Sequence, residues 1–134
     1  MILITKNTDY ALRALMHLAG KKGGFVSSSE IAGKEKIPLA YLRRILQTLQ
    51  KSKMIVTKEG SGGGACLQKP PDRIFVYDVI RAFQGDISLT RCIFREKHCH
   101  NTKTCLLRKE VLKVEDIVSA EFKKLTLKSL INTR

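Results

Sequence analysis

Residues 26–68 leave the chain little choice of fold, because they set start signals for two short helices directly ahead of a glycine-tipped hairpin. Ser27 is placed to cap a helix with Glu30 reaching back to it, and Val26 and Ile31 form the flanking hydrophobic staple. That helix ends near Lys36. Pro38, whose fixed φ suits a first helical position, opens the next one, with Leu42, Ile45, Leu46 and Leu49 inside and Ala40, Arg43, Arg44, Gln47 and Gln50 outside. Residues 54–58 and 65–68 then read as strands joined by Gly60, Ser61, Gly62, Gly63 and Gly64. No glycine-lysine-serine or glycine-lysine-threonine phosphate-binding sequence accompanies these glycines, and they join strand to strand. A wing whose backbone approaches DNA phosphate is therefore favoured over a nucleotide cradle.

The flanking segments complete a helix-rich plan. Residues 8–19 carry Ala11, Leu12, Leu15, Met16, Leu18 and Ala19 on one stripe, stopped by Gly20, Gly23 and Gly24. Pro70 and Pro71 punctuate the chain before a helix over 77–84, marked by Val79, Ile80 and Phe83 and closed by Gly85. Residues 86–104 lack periodicity and read as a loop. Beyond them Leu107, Val111, Val114, Val118, Phe122 and Leu125 form the seam of one long helix. The same helix of a second subunit would cover that seam, the alternative being packing on its own domain. The expected fold is mainly α with a small β wing: a winged helix-turn-helix over 1–85, a cysteine-rich loop over 86–104, and a dimerisation helix and tail over 105–134.

Charge narrows the partner. Twenty-five Lys and Arg against twelve Asp and Glu give a net charge of +13, which suits a polyanion; a basic protein without such a partner is the plainer alternative. Both halves are basic, so charge alone does not locate the contact surface. No apolar run approaches the roughly 18 residues that span a bilayer, and no signal-peptide cleavage pattern is present, so a cytoplasmic protein with no membrane partner is expected. In that compartment four cysteines point to metal or redox chemistry rather than disulfides. No paired acid and base or activated nucleophile is visible, so an enzyme is not expected.

Cys92, Cys99 and Cys105 follow a C-x6-C-x5-C spacing. Three thiolates satisfy three irons of a cubane iron-sulfur cluster or three positions on zinc. Cys105 falls in the first turn of the long helix, and Arg91, Arg95, Lys97, Lys103, Arg108 and Lys109 outnumber Glu96 around the three thiols. Helix start and cations both favour a thiolate. Zinc is the rival metal, because His98 and His100 flank Cys99, although the paired C-x2-C knuckles of zinc fingers are missing. Cys66, far along the chain from the other three, is expected to be a buried apolar thiol.

The segment from Thr5 to Met16, the Ser29, Glu30, Ile31 and Ala32 run, Tyr41 and Leu42, the glycine wing and the three-cysteine loop together resemble the Rrf-two family of winged-helix transcription regulators. The resemblance covers essentially the whole chain. It implies a homodimeric DNA-binding protein, expected to act as a repressor on a double-stranded operator, with an iron-sulfur cluster bound by three cysteines and one further ligand. A 4Fe-4S cluster is preferred over 2Fe-2S. In the cluster-biogenesis branch the fourth ligand is a histidine three residues after the last cysteine, where this chain has Arg108. In the nitric-oxide-sensing NsrR branch it is an aspartate near the amino terminus of the other subunit, and Asp9 matches that position. The resemblance thus implies Cys92, Cys99, Cys105 and Asp9 of the partner subunit as ligands, with His98 and His100 as secondary candidates.

The residues expected at DNA are Ser28, Ala40, Arg43, Arg44 and Gln47 of the helix-turn-helix and Lys58, Gly60 and Ser61 of the wing. Family members often carry acidic or amide residues where Arg43 and Arg44 stand, an arginine at Glu59 and a tyrosine at Ala65, so the operator does not transfer. The alternatives are a zinc-stabilised nucleic-acid-binding or interaction module and a cluster-free regulator of the same family.

Overall fold

The computed structural model describes residues 2–21, 23–89 and 103–132. Among these residues six helices and one hairpin follow in the order α1 (Lys6–Ala19), α2 (Ser28–Glu35), α3 (Leu39–Lys51), β1 (Ile55–Lys58), β2 (Gly64–Leu67), a 3-10 turn (Pro71–Arg73), α4 (Val76–Gln84), α5 (Leu106–Lys124) and α6 (Leu127–Asn132). The fold is mainly helical with one small antiparallel sheet, as the patterning predicts.

Helix α1 is the central post. Ala11, Ala14, Leu15 and Leu18 are buried on one face, packing with Ile31 of α2, Leu42, Ile45 and Leu49 of α3, and Val79 of α4. These are inner-face positions at threes and fours, so each helix buries the stripe its sequence lays out. Ser27 caps α2 as expected, its Oγ accepting the Glu30 N–H at 3.2 Å. Glu30 does not reach back. Its carboxylate turns to His17 (3.4 Å) and Lys21 (3.6 Å), because α1 and the turn after it bring two partners to it that the local sequence does not reveal.

The hairpin pairs Ile55 with Leu67 and Lys58 with Gly64, and Val26 adds an isolated bridge to Ala65. The loop before α2 is thereby tied to the wing. Gly64 has φ 144°, and a Cβ there would overlap the Val26 carbonyl, so this close approach needs glycine. Cys66 is half-buried rather than buried. Side chains alternate along a strand, and Ala65 takes the core side, which leaves Cys66 on the other face.

The C-terminal segment departs from a single long seam. Helix α5 stops at Leu125, and the chain turns back so that Val76 N–H donates to the Leu125 carbonyl (2.9 Å) and Leu127 N–H to that of Ile74 (2.8 Å). Leu127 then joins the core beside α1. Thr126 and Ser129 hold this start reciprocally: Thr126 Oγ1 accepts the Ser129 N–H (3.1 Å) and Ser129 Oγ the Thr126 N–H (3.0 Å). Along α5 itself Leu106, Leu107, Val114 and Ile117 are exposed, while Val111, Val118 and Phe122 of the expected seam are half-buried.

Candidate nucleic-acid interface and cysteine site

Helix α3 separates its two faces cleanly. Leu42, Ile45, Leu46 and Leu49 are buried, while Ala40, Arg43, Arg44, Gln47 and Gln50 are exposed. Neither Arg43 nor Arg44 has an ion-pair partner among the described residues. Two unpaired guanidinium groups on one exposed helical face can reach base edges or phosphate. At the wing, Lys58 ends β1 with its ammonium 5.9 Å from the Phe25 ring centroid, and Gly60 and Ser61 stand exposed at the tip. Ser28 is the first residue of α2 and half-buried. Ser28 and the wing thus flank the Val26–Ala65 bridge, which ties α2 and the hairpin into one unit.

Asp9 lies in the first turn of α1 and is half-exposed. Its carboxylate accepts from Arg13 Nε at 3.0 Å, one turn along. That hydrogen bond, followed by the charge of Asp9, holds the Arg13 guanidinium above its usual range. The turn beneath Asp9 is fastened from α4. Gln84 Oε1 accepts the Thr5 N–H (3.0 Å), the Thr8 hydroxyl (2.6 Å) and the Thr5 hydroxyl (3.3 Å), and Gln84 Nε2 donates to the Leu3 carbonyl (3.0 Å).

Cys105 is the N-cap of α5, one place ahead of the first turn where its sequence position puts it. Its Sγ accepts the Arg108 N–H at 3.3 Å. A half-buried sulfur at a helix start, with Lys103, Arg108 and Lys109 lining the same shallow cleft, sits where a negative ligand atom is favoured. Cys92, Cys99, His98 and His100 lie outside the described residues, and among those described no three metal-type ligands are gathered.

Against known proteins, a family model described as Rrf2, iron-dependent transcriptional regulator, matches residues 4–133. The chain belongs to the Rrf2 family. An HTH-type transcriptional regulator of Haemophilus influenzae is 30% identical over 132 residues, covering 98% of this chain and 87% of the relative. Among solved structures, CymR (YrzC), the global cysteine regulator of B. subtilis, matches with a TM-score of 0.82 at 26% identity, covering 100% of this chain and 99% of its own. IscR of T. potens shares the fold, with a TM-score of 0.78 at 22% identity over 98% of this chain and 88% of its own. Membership makes this Rrf2 chain a DNA-binding transcriptional regulator rather than an enzyme. Among its described residues no helix is long and apolar enough to cross a membrane.

Three features of this Rrf2 chain escape a sequence reading. Gln84 carries no motif and meets residues 76 to 81 positions away. Tyr10 and Tyr41 join α1 to α3 edge to face. Glu115 reads as a surface charge of α5 yet is buried.

Proposed function

We propose that this regulator is a homodimeric repressor that reads its operator with α3 and the wing and carries an iron-sulfur cluster, 4Fe-4S rather than 2Fe-2S. The ligands are Cys92, Cys99, Cys105 and Asp9 of the partner subunit, and the signal is nitric oxide, redox or iron-sulfur status. The observation that carries this reading is Cys105 capping α5, where a helix start and three cations meet a sulfur. The donor set fits such a group: three thiols, one half-exposed carboxylate, and positive surroundings that offset the charge of thiolate ligands. The family's iron-dependent character points the same way.

Within this reading each residue has a task. Cys105 is preset by the Arg108 N–H, and Asp9 must exchange Arg13 for the metal. A carboxylate ligand would leave one iron less covalently held than its thiolate-bound neighbours, the labile point a sensor needs. Dimerisation falls to α5, because Leu106, Leu107, Val114 and Ile117 offer an apolar face that water covers poorly. If Asp9 and the cysteines come from different subunits, releasing Asp9 alters the relation of the two α3 helices. DNA half-sites about one helical turn apart then fit differently.

Anaerobic purification tests the reading. A brown protein with iron and sulfide in stoichiometric amounts, whose operator affinity changes on adding nitric oxide, is the expected result. A colourless protein with bound zinc would overturn it in favour of the zinc-stabilised module. The likeness to CymR favours a second reading, a cluster-free regulator of the same family, and metal-free protein that binds its operator fully would establish that one.

A further inference from the structure

At the base of the hairpin, away from its glycine tip, a cleft of about 400 Å³ gathers charge that neither the helix α3 face nor the cysteine site uses. Lys69, Arg73, Arg81 and Asp78 line it together with the buried Met54 and Ile74. A concavity of this size holds a small molecule, and cations on the walls of a cleft with apolar lining focus positive potential. Arg81 is already engaged, its Nε 3.1 Å from Asp86 Oδ1 and its guanidinium 5.9 Å from the Tyr77 ring centroid. Lys69 and Arg73 have no ion-pair partner among the described residues, and Asp78 in the same cleft pairs with neither.

The chain between these two cations is stiff. Pro70 and Pro71 separate them and fix φ at both positions, and the Arg73 N–H donates to the Pro70 carbonyl at 2.9 Å, closing the 3-10 turn. The backbone at Lys69 and Arg73 is thus set in advance, which lowers the ordering cost of bringing two positive charges to one ligand. The residues expected at DNA stand elsewhere. Ser52, which also lines the cleft, is nine residues beyond Arg43, or about 14 Å along the α3 axis. Met54 lies about 14 Å of strand from Lys58. We propose that this cleft is a binding site for a compact dianion of metabolite size, bearing phosphate or carboxylate groups, with Lys69 and Arg73 meeting its two negative charges. The Arg73 fork matches either group bidentately, and Lys69 supplies a point charge. Asp78 opposes the ligand and limits the charge the cleft accepts.

The test titrates the full chain with inorganic phosphate and, separately, with succinate at constant ionic strength, following backbone amide shifts by NMR. The amides of Ser52, Lys69, Arg73 and Asp78 should move and saturate while those of Arg43 and Arg44 stay in place. Saturation by either probe supports the site, and the tighter one names the group; saturation by neither overturns it. Equal shifts at Arg43 and Arg44 would mean that anions coat the basic surface at large, and would overturn it too. Lys69→Gln combined with Arg73→Gln should weaken the tighter probe by about tenfold or more, since two hydrogen bonds to charged groups are lost. Asp78→Asn should tighten it, a readout that damage to the fold would not give. Undiminished affinity in the double variant removes the two cations from the site and sinks the proposal. Binding of mixed-sequence duplex DNA at several salt concentrations decides the last rival: the double variant should keep the wild-type salt slope, and a slope lowered by about 0.9 for each lost cation would assign the cleft to DNA phosphate instead.

Discussion

Tyr10 of α1 and Tyr41 of α3 meet edge to face, with ring centroids 5.7 Å apart and planes at 89°. Tyr10 follows Asp9 and Tyr41 follows Ala40, so this pair is a direct link between the turn bearing the proposed ligand and the exposed face of α3. Such pairs contribute about 0.5–1.5 kcal/mol beyond their buried area. A double-mutant cycle of Tyr10→Leu and Tyr41→Leu, read by urea unfolding, should return a coupling energy of about 1 kcal/mol. Strictly additive losses would mean the rings touch without stabilising the α1–α3 interface.

Gln84→Leu removes the amide that satisfies the Thr5 N–H, both threonine hydroxyls and the Leu3 carbonyl. Thr8 is fully buried, so its hydroxyl loses its shortest bond with no water to replace it. Leaving a buried polar group unsatisfied costs about 1–3 kcal/mol, and the denaturation midpoint should fall accordingly. Because α1 begins at this network, hydrogen exchange should rise at the first turn of α1 ahead of its last. A uniform change along α1 would show that Gln84 is not its clamp.

Acid should loosen the contact between α1 and α2. The hydrogen bond with His17, reinforced by Lys21, holds the Glu30 carboxyl below its ordinary value of 4.5. A carboxyl lowered in this way contributes stability that is complete above that ordinary value and is lost as pH falls through the lowered one. Wild type and Glu30→Gln should therefore differ in urea midpoint at neutral pH and converge in acid, below the ordinary value. A difference that stays constant down to that range would assign the effect to something other than ionisation of Glu30.

Lys36 ends α2 in the left-handed region, with φ 56° and ψ 46°. A residue with a Cβ pays roughly 1–2 kcal/mol for that conformation and glycine does not. Lys36→Gly should raise the melting temperature, offset in part by the greater freedom of glycine in the unfolded chain. A lower melting temperature would mean that the Lys36 side chain contributes more than its backbone costs.

The winged helix-turn-helix was legible because its signals are local. Ser27 and Pro38 act on the backbone beside them, and the spacing of Leu42, Ile45 and Leu49 is a property of one helix. Features set by distant pairs were not legible. Glu30 reads as the second half of a capping box, but His17 of α1 and Lys21 just beyond it take its carboxylate, and nothing near Gln84 or Glu115 in sequence announces Thr8 or Leu89. Helix α6 lies between these cases. Thr126 and Ser129 are a readable start signal, but the apolar positions around them continue the α5 seam closely enough to hide the break at Leu125. At the cysteine site, Cys105 as a helix-start sulfur followed from position alone, whereas the other two cysteines lie outside the described residues.

Arg43 and Arg44 differ in what their loss should do, and that difference separates the two ways an arginine meets DNA. A guanidinium bidentate to guanine gives about 1–3 kcal/mol of discrimination against the wrong base, while a phosphate contact contributes about 0.9 to the slope of log K against log salt. Arg44 lines a crevice with Asn7, Tyr41, Thr48 and Phe83, whereas Arg43 does not border it. We propose that Arg43 meets base edges and Arg44 phosphate. Arg43→Ala should flatten sequence preference at one operator position with only a small change in salt slope. Arg44→Ala should weaken binding to all sequences alike and lower the slope by about one. Both variants should keep the metal content of wild type, since neither residue is among the proposed ligands. Operator mutants titrated at several salt concentrations decide between the roles, and undiminished affinity in the double variant would move DNA readout away from α3.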